Sequence, residues 1–219
     1  ATWGSGALAG VWAEENTRAS LFDAMSRRET FATSGPRISV RLFGGFEYPG
    51  DLLERAGAVD MAYANGVPMG GTLDGDGSAV PSFMVWALRD PNSGWLQRLQ
   101  IVKGWLNDGE TNEKVFDVAC SDGLQVDGET HRCPDNGASV DLSNCSVSRD
   151  VGSGELKTLW QDPAFDVSQR AYYYARVLEN PSCRWSTWDA VRLGIEPNPD
   201  LQKTHQERAW SSPIWYQPD

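Results

Sequence analysis

Residues Leu8 to Phe43, LAGVWAEENTRASLFDAMSRRETFATSGPRISVRLF, set the frame for everything after them. They read as a short extended lead-in, one amphipathic helix, a fixed turn and a strand. Asn16 or Thr17 is placed to cap the helix by accepting bonds from its free N–H groups, and Glu14 and Glu15 lie at its positive end. Leu21, Phe22 and Met25 share one face and predict a buried stripe. Arg27 and Arg28 fall in the last turn, where positive charge suits the helix dipole. Thr33-Ser34-Gly35-Pro36 then stops the helix, because proline restricts the residue before it and cannot continue the ladder. From Arg37 to Phe43 the apolar Ile38, Val40 and Leu42 alternate with polar positions, which makes a strand.

Working outward, Asp51 to Arg55 reads as a helical turn, Met61 to Asn65 as a short strand and Asn65-Gly66 as a hairpin turn. Ser82 to Asp90 is β-rich. Leu96 to Leu106 alternates Leu99, Ile101 and Lys103 against Gln100, Val102 and Gly104, and Lys114 to Ala119 pairs back after Asn107-Asp108-Gly109. Arg170 to Leu178, with three consecutive tyrosines, is a central strand. Ser186 to Leu193 is a short helix with Trp188 and Val191 inward, and Ile214 to Tyr216 closes the chain as a last strand; Glu155 to Trp160 fits strand or helix equally. A turn about every ten residues marks an antiparallel sheet or sandwich. The fold class is therefore α+β, mainly β: a helix-bearing segment over residues 1–36, then an antiparallel β-sandwich-like domain over 37–219 with a cysteine-containing loop at 120–154.

Thirty Asp and Glu against 19 Lys and Arg give a net charge of -11. That argues against a nucleic-acid partner, which would need clustered positive charge. No apolar run approaches the roughly 20 residues that cross a bilayer, so no membrane partner is expected. The first residue is Ala1, not Met, and no signal peptide is visible, so the start reads as a processed terminus or a cut within a longer protein.

None of Cys120, Cys133, Cys145 and Cys183 is spaced as CxxC, and only His131 and His205 could assist them, so a zinc site is disfavoured. Two disulfides suit the loop-rich, acidic chain better. Four cysteines permit three connectivities; Cys120 with Cys133, around a turn-rich segment, and Cys145 with Cys183 is the preferred one. Disulfides imply a periplasmic or secreted protein.

The runs AEENTR (13–18) and FDAMSRRETFATSGPRI (22–38) carry a resemblance to a known family. It continues in GVPMGG (Gly66 to Gly71), LQRLQIVKGWL (Leu96 to Leu106), WQDPAFD (Trp160 to Asp166), RAYYYARVLENP (Arg170 to Pro181) and QERAWSSPIWY (Gln206 to Tyr216). Together these runs resemble the C-terminal part of the large bacterial domain-of-unknown-function family 3604, in order over nearly the whole chain. That family looks like a branch of the PHP (polymerase and histidinol phosphatase) metal-dependent hydrolases. The resemblance implies that residues 1–36 end an upstream barrel, that this barrel holds a divalent metal, and that the present chain is its non-catalytic part. It also implies a partner in that upstream segment and a small anionic, phosphoester-like substrate.

The residues agree that chemistry lies elsewhere. No His-x-His pair, GxSxG elbow or GxxxxGK loop occurs, and Asp74-Gly75-Asp76-Gly77 lacks the twelve-residue calcium pattern. No catalytic, metal or cofactor residue is therefore assigned to this chain. Two groups are candidates for the rim of a substrate site. Arg28, Thr33, Ser34 and Arg37 offer cations, hydroxyls and backbone N–H groups suited to an anionic oxygen. Glu15 and Asn16 are the second group. Against them stands the plain reading that the arginines are solvated and the hydroxyls shape a turn. Ten tryptophans are heavy for this length. Packing accounts for most of them, with Trp95 kept as the exposed one. The alternative function is a stand-alone β-sandwich module that binds carbohydrate or a protein partner. A third reading, a structural fragment, would show as an exposed apolar face at Leu21, Phe22 and Met25.

Overall fold

A computed structural model describes residues 6–75, 79–107 and 109–218, so Asp76, Gly77 and Asp108 of the expected loops lie outside the described residues. The first part of the chain holds β1 (Leu8–Val11), α1 (Arg18–Ser26), β2 (Thr30–Thr33), β3 (Ser39–Gly45), a 3-10 turn (Leu52–Glu54), α2 (Ala58–Ala64), β4 (Val67–Pro68) and β5 (Thr72–Asp74). The middle holds β6 (Ser82–Leu88), β7 (Leu96–Asn107), β8 (Glu110–Cys120), β9 (Val140–Asp141), β10 (Ser146–Val147) and β11 (Glu155–Gln161). Last come β12 (Ala171–Glu179), β13 (Ser182–Cys183), α3 (Trp185–Leu193), β14 (Thr204–His205), β15 (Arg208–Ser211) and β16 (Ile214–Gln217).

The large sheet is built on β12. One side of β12 pairs antiparallel with β7, which pairs with β8. Along its other side β15 and then β16 lie end to end, interrupted at Ser212 and Pro213. β15 continues to β2 and β1, and β16 to β5, the last a parallel pair. The second sheet runs β11-β6-β3-β4. The sheets stack as a sandwich. Ala171, Tyr173, Ala175 and Val177 of β12 face in, while Tyr172, Tyr174 and Arg176 face out, as the two-residue period requires. They meet Ile38, Val40 and Leu42 of β3 and Phe83, Val85 and Ala87 of β6 in one buried cluster. On the far side of the second sheet, α2 and the 3-10 turn cover Phe43 and Met84 through Leu52, Ala58 and Ala62. The α+β, mainly β, sandwich-like class read from the sequence is the observed one, and Glu155 to Trp160 resolves as a strand.

Four local readings need correction. Thr30–Thr33 is a strand, because α1 ends at Ser26. Arg28 takes a left-handed conformation (φ 60°), its N–H donates to the Met25 carbonyl at 2.9 Å and the Glu29 N–H to the Ala24 carbonyl at 3.0 Å. That is a Schellman turn with arginine where glycine is usual. The Leu21, Phe22 and Met25 stripe is not buried: Ala24 alone is, while Phe22 is 63% and Met25 54% exposed. Met61 to Asn65 belongs to α2 and its cap, not to a strand. In α3 the buried residues are Thr187 and Ala190, and Trp188 is exposed.

The disulfides are Cys120–Cys133 and Cys145–Cys183, the preferred pairing, and no described cysteine is free. The first closes the base of the long loop, and the second ties the loop to the start of α3. Among the described residues no helix is long and apolar enough to cross a membrane.

Candidate functional site

Beside α1 lies an open cleft of about 900 Å³. Thr17 positions its upper wall by capping the helix: its hydroxyl accepts the Ser20 N–H at 3.3 Å. Ser20 in turn accepts the Glu15 N–H at 3.2 Å, which fixes the turn carrying Glu14 and Glu15 into the cleft. Asn16 is exposed and does not cap.

The floor is a connected polar set. The Schellman turn swings Glu29 inward, where it is 3% exposed. One carboxylate oxygen accepts the Tyr63 hydroxyl, and the other faces Arg27 Nη2 at 3.5 Å. Arg41, on the outer side of β3, donates to the Tyr63 oxygen at 3.3 Å and lays its guanidinium 3.6 Å over the Trp12 ring. Trp12 is held by its indole N–H on the Val40 carbonyl at 2.9 Å. Burial first, then the bond to Glu29, pushes the Tyr63 hydroxyl above the usual tyrosine range, so it stays a donor at neutral pH. Arg27 and Arg41 thus share one cleft with the flanking acids Glu14, Glu15, Asp23 and Asp60.

The expected group of Arg28, Thr33, Ser34 and Arg37 divides. Arg28 stands before one end of β2; Thr33 and Ser34 lie at the other, with Arg37 beyond. The N–H groups of that turn are engaged: Ser34 donates to the Arg208 carbonyl (2.9 Å), Gly35 to the Thr33 hydroxyl (3.2 Å) and Arg37 to Asp90 Oδ2 (2.8 Å). The Ser34 hydroxyl donates to Glu207, which also pairs with His205 at 2.8 Å. The His205 contact first, with Ser34 assisting, holds the Glu207 carboxyl below its usual range. Carboxylates therefore face this turn. Behind it, Glu179 is 3% exposed; one oxygen accepts Ser93 and Gly94, and the other has no hydrogen-bond partner.

Arg28 lines a different groove of about 520 Å³, over the end of the large sheet, with Arg170, Trp105, Asn112, Tyr172 and Trp215. Trp95 is half-buried beneath Arg89, whose guanidinium lies 3.9 Å over its ring, and among the described residues the exposed tryptophans are Trp185, Trp188 and Trp215. Sequence reading missed Glu29, Tyr63 and Arg41, which only the tertiary fold brings together. Among the described residues no group of three or more His, Cys, Asp or Glu is placed to hold a metal ion.

A family model described as "Protein of unknown function (DUF3604)" matches residues 1–218, and the chain belongs to that family. No curated protein and no solved structure matches it.

Proposed function

We propose that this chain is a non-catalytic part of a PHP-like, metal-dependent hydrolase of phosphoester-like substrates, and that α1 and its cleft turn toward the metal-bearing barrel. One observation carries the reading: α1 buries Ala24 alone and leaves Phe22 and Met25 exposed, while Asp23 and Arg27 of the same segment line the cleft that holds Arg41 and Tyr63. A soluble helix normally hides its large apolar residues, and an exposed pair of this size suits a docking face. In this reading the cleft shapes access for an anionic substrate, while the barrel supplies the metal-activated water. The two disulfides support an oxidising compartment, so we place the chain in the periplasm or outside the cell.

The test mixes the chain with a separately produced, metal-loaded barrel from a family member. Size-exclusion chromatography reads association, and hydrolysis of bis(p-nitrophenyl) phosphate reads the effect on activity. A complex broken by Phe22→Asp with Met25→Asp supports the reading. Separate elution of barrel and chain overturns it.

A second reading, a carbohydrate-binding module, rests on the exposed Trp215 and the half-buried Tyr172 of the groove at the sheet end.

A further inference from the structure

Five strands of the large sheet place one residue each in a single row. Glu113 pairs with Gly104, Gly104 with Tyr172, Tyr172 with Trp215, and Trp215 with Thr72. With about 4.8 Å between strands the row runs about 19 Å across the sheet. Gly104 is what lets the row lie flat: a Cβ there would stand 2.2 Å from Cζ of Tyr172, so the ring lies directly over the strand. The rings of Tyr172 and Trp215 are 5.3 Å apart, and Tyr174 continues the surface, stacked at 6.4 Å and 13° to Tyr172. Trp215 is 44% exposed.

Two guanidiniums border this aromatic strip. Arg28 and Arg170 are exposed, and among the described residues neither has a hydrogen-bond or ion-pair partner for its side chain. The groove thus presents two arginines without a carboxylate partner, in a chain of net charge -11. Arg28 is also held where its backbone is disfavoured. Helix α3 ends in the same turn, with Gly194 N–H on the Val191 carbonyl and Ile195 N–H on the Ala190 carbonyl, and there the left-handed residue is glycine. Helix α1 keeps an arginine at that position at a local cost of about 1 kcal/mol. Such a departure from the local rule, with no side-chain hydrogen bond or ion pair among the described residues to offset it, points to a role for the side chain outside the protein.

We propose that this groove binds an anionic saccharide, with sugar faces on Tyr172 and Trp215 and carboxylate or sulfate groups on Arg28 and Arg170. The aromatic rings supply flat apolar area for the C–H faces of a pyranose. The guanidiniums supply paired donors to a planar carboxylate or to sulfate oxygens. Asn112, also on the groove lining, is placed for ring hydroxyls. This deepens the carbohydrate-binding reading and does not involve the hydrolase reading, since the groove contains no part of the cleft beside α1.

The experiment is isothermal titration calorimetry on the full chain with three probes: hexagalacturonate, a heparin hexasaccharide and neutral cellohexaose. Expected is binding of at least one anionic probe, weakened about tenfold or more by Trp215→Ala and by Arg28→Gly with Arg170→Gln. Glycine suits the Arg28 backbone, so that variant keeps the fold, which circular dichroism checks. Preference for galacturonate assigns the anion as carboxylate, and preference for heparin as sulfate. Cellohexaose bound as tightly as the anionic probes overturns this inference and leaves the carbohydrate reading standing. Binding unaffected by both substitutions overturns the site. No heat with any probe overturns both.

Discussion

Lys103 Nζ and Asp162 Oδ2 lie 2.5 Å apart inside the sandwich, each residue 4% exposed. The Tyr173 hydroxyl donates to the same carboxylate oxygen at 2.9 Å, and Lys103 also reaches the Ala164 carbonyl at 2.9 Å. Burial first, then this carboxylate, raises the Tyr173 hydroxyl far above its usual range. All three groups are satisfied, and each depends on the others. Removing one partner strands a charge in the core, so Asp162→Ala is expected to lose about 3–5 kcal/mol in a urea melt. Lys103→Met with Asp162→Leu is expected to recover most of that loss. A single variant as stable as the parent would show the pair to be solvated in solution.

Glu179 makes stability depend on pH. Burial pushes its carboxyl from 4.5 up to about 7, against the bonds from Ser93 and Gly94. Between those values the folded chain binds more protons than the unfolded one, so stability falls as pH rises from about 4.5 to about 7. The size is on the order of 3 kcal/mol. Glu207, held low, acts in the opposite direction and loses its contribution as pH falls through its folded value. Glu179→Gln isolates the first effect: its amide keeps an acceptor for Ser93 and brings a donor where Glu179 has an unpartnered oxygen. Melting temperatures of variant and parent should diverge most above pH 7, with the variant the more stable. Parallel curves would refute the assignment.

Arg28→Gly is expected to gain about 1 kcal/mol by removing the left-handed strain. In a domain of this size that is a rise of about 2–4 °C in Tm. Calorimetry in the absence of sugar reads it directly. A fall in Tm would mean that the arginine stem packs usefully against the sheet end.

The two disulfides close loops of 13 and 38 residues. Loop entropy then assigns about 3 kcal/mol to Cys120–Cys133 and about 4 kcal/mol to Cys145–Cys183. Pairwise serine replacements, compared by chemical denaturation, should rank in that order. The reverse ranking would indicate that the long loop stays collapsed in the unfolded chain.

Much of the fold was legible because strands report themselves by alternation. Ile38, Val40 and Leu42 face the core as their spacing requires, and so do Leu99, Ile101 and the paired Lys103. The start of α1 was legible in Thr17. Its end was not, since arginine at a left-handed position leaves no sequence mark, and the strand Thr30–Thr33 was hidden behind it. Phe22 and Met25 mislead because apolar spacing marks one helix face without saying that the face is buried: they are 63% and 54% exposed. Helix α2 has seven residues, too few for a helical period to show. The candidate site was read least well. Glu29 and Tyr63 are 34 residues apart and meet through the packing of α2 on the second sheet, a relationship that no local pattern encodes.

The pairing of Thr33 with Ala209 joins strands from opposite ends of the described chain. During synthesis β2 emerges long before β15, its partner on that side. Until then β1 and β2 are a lone two-stranded ribbon, of the kind that is marginal in water. The sandwich therefore closes only when translation has passed Ser211, and a ribosome stalled before it would hold a chain with an open sheet edge, available to chaperones and to other nascent chains.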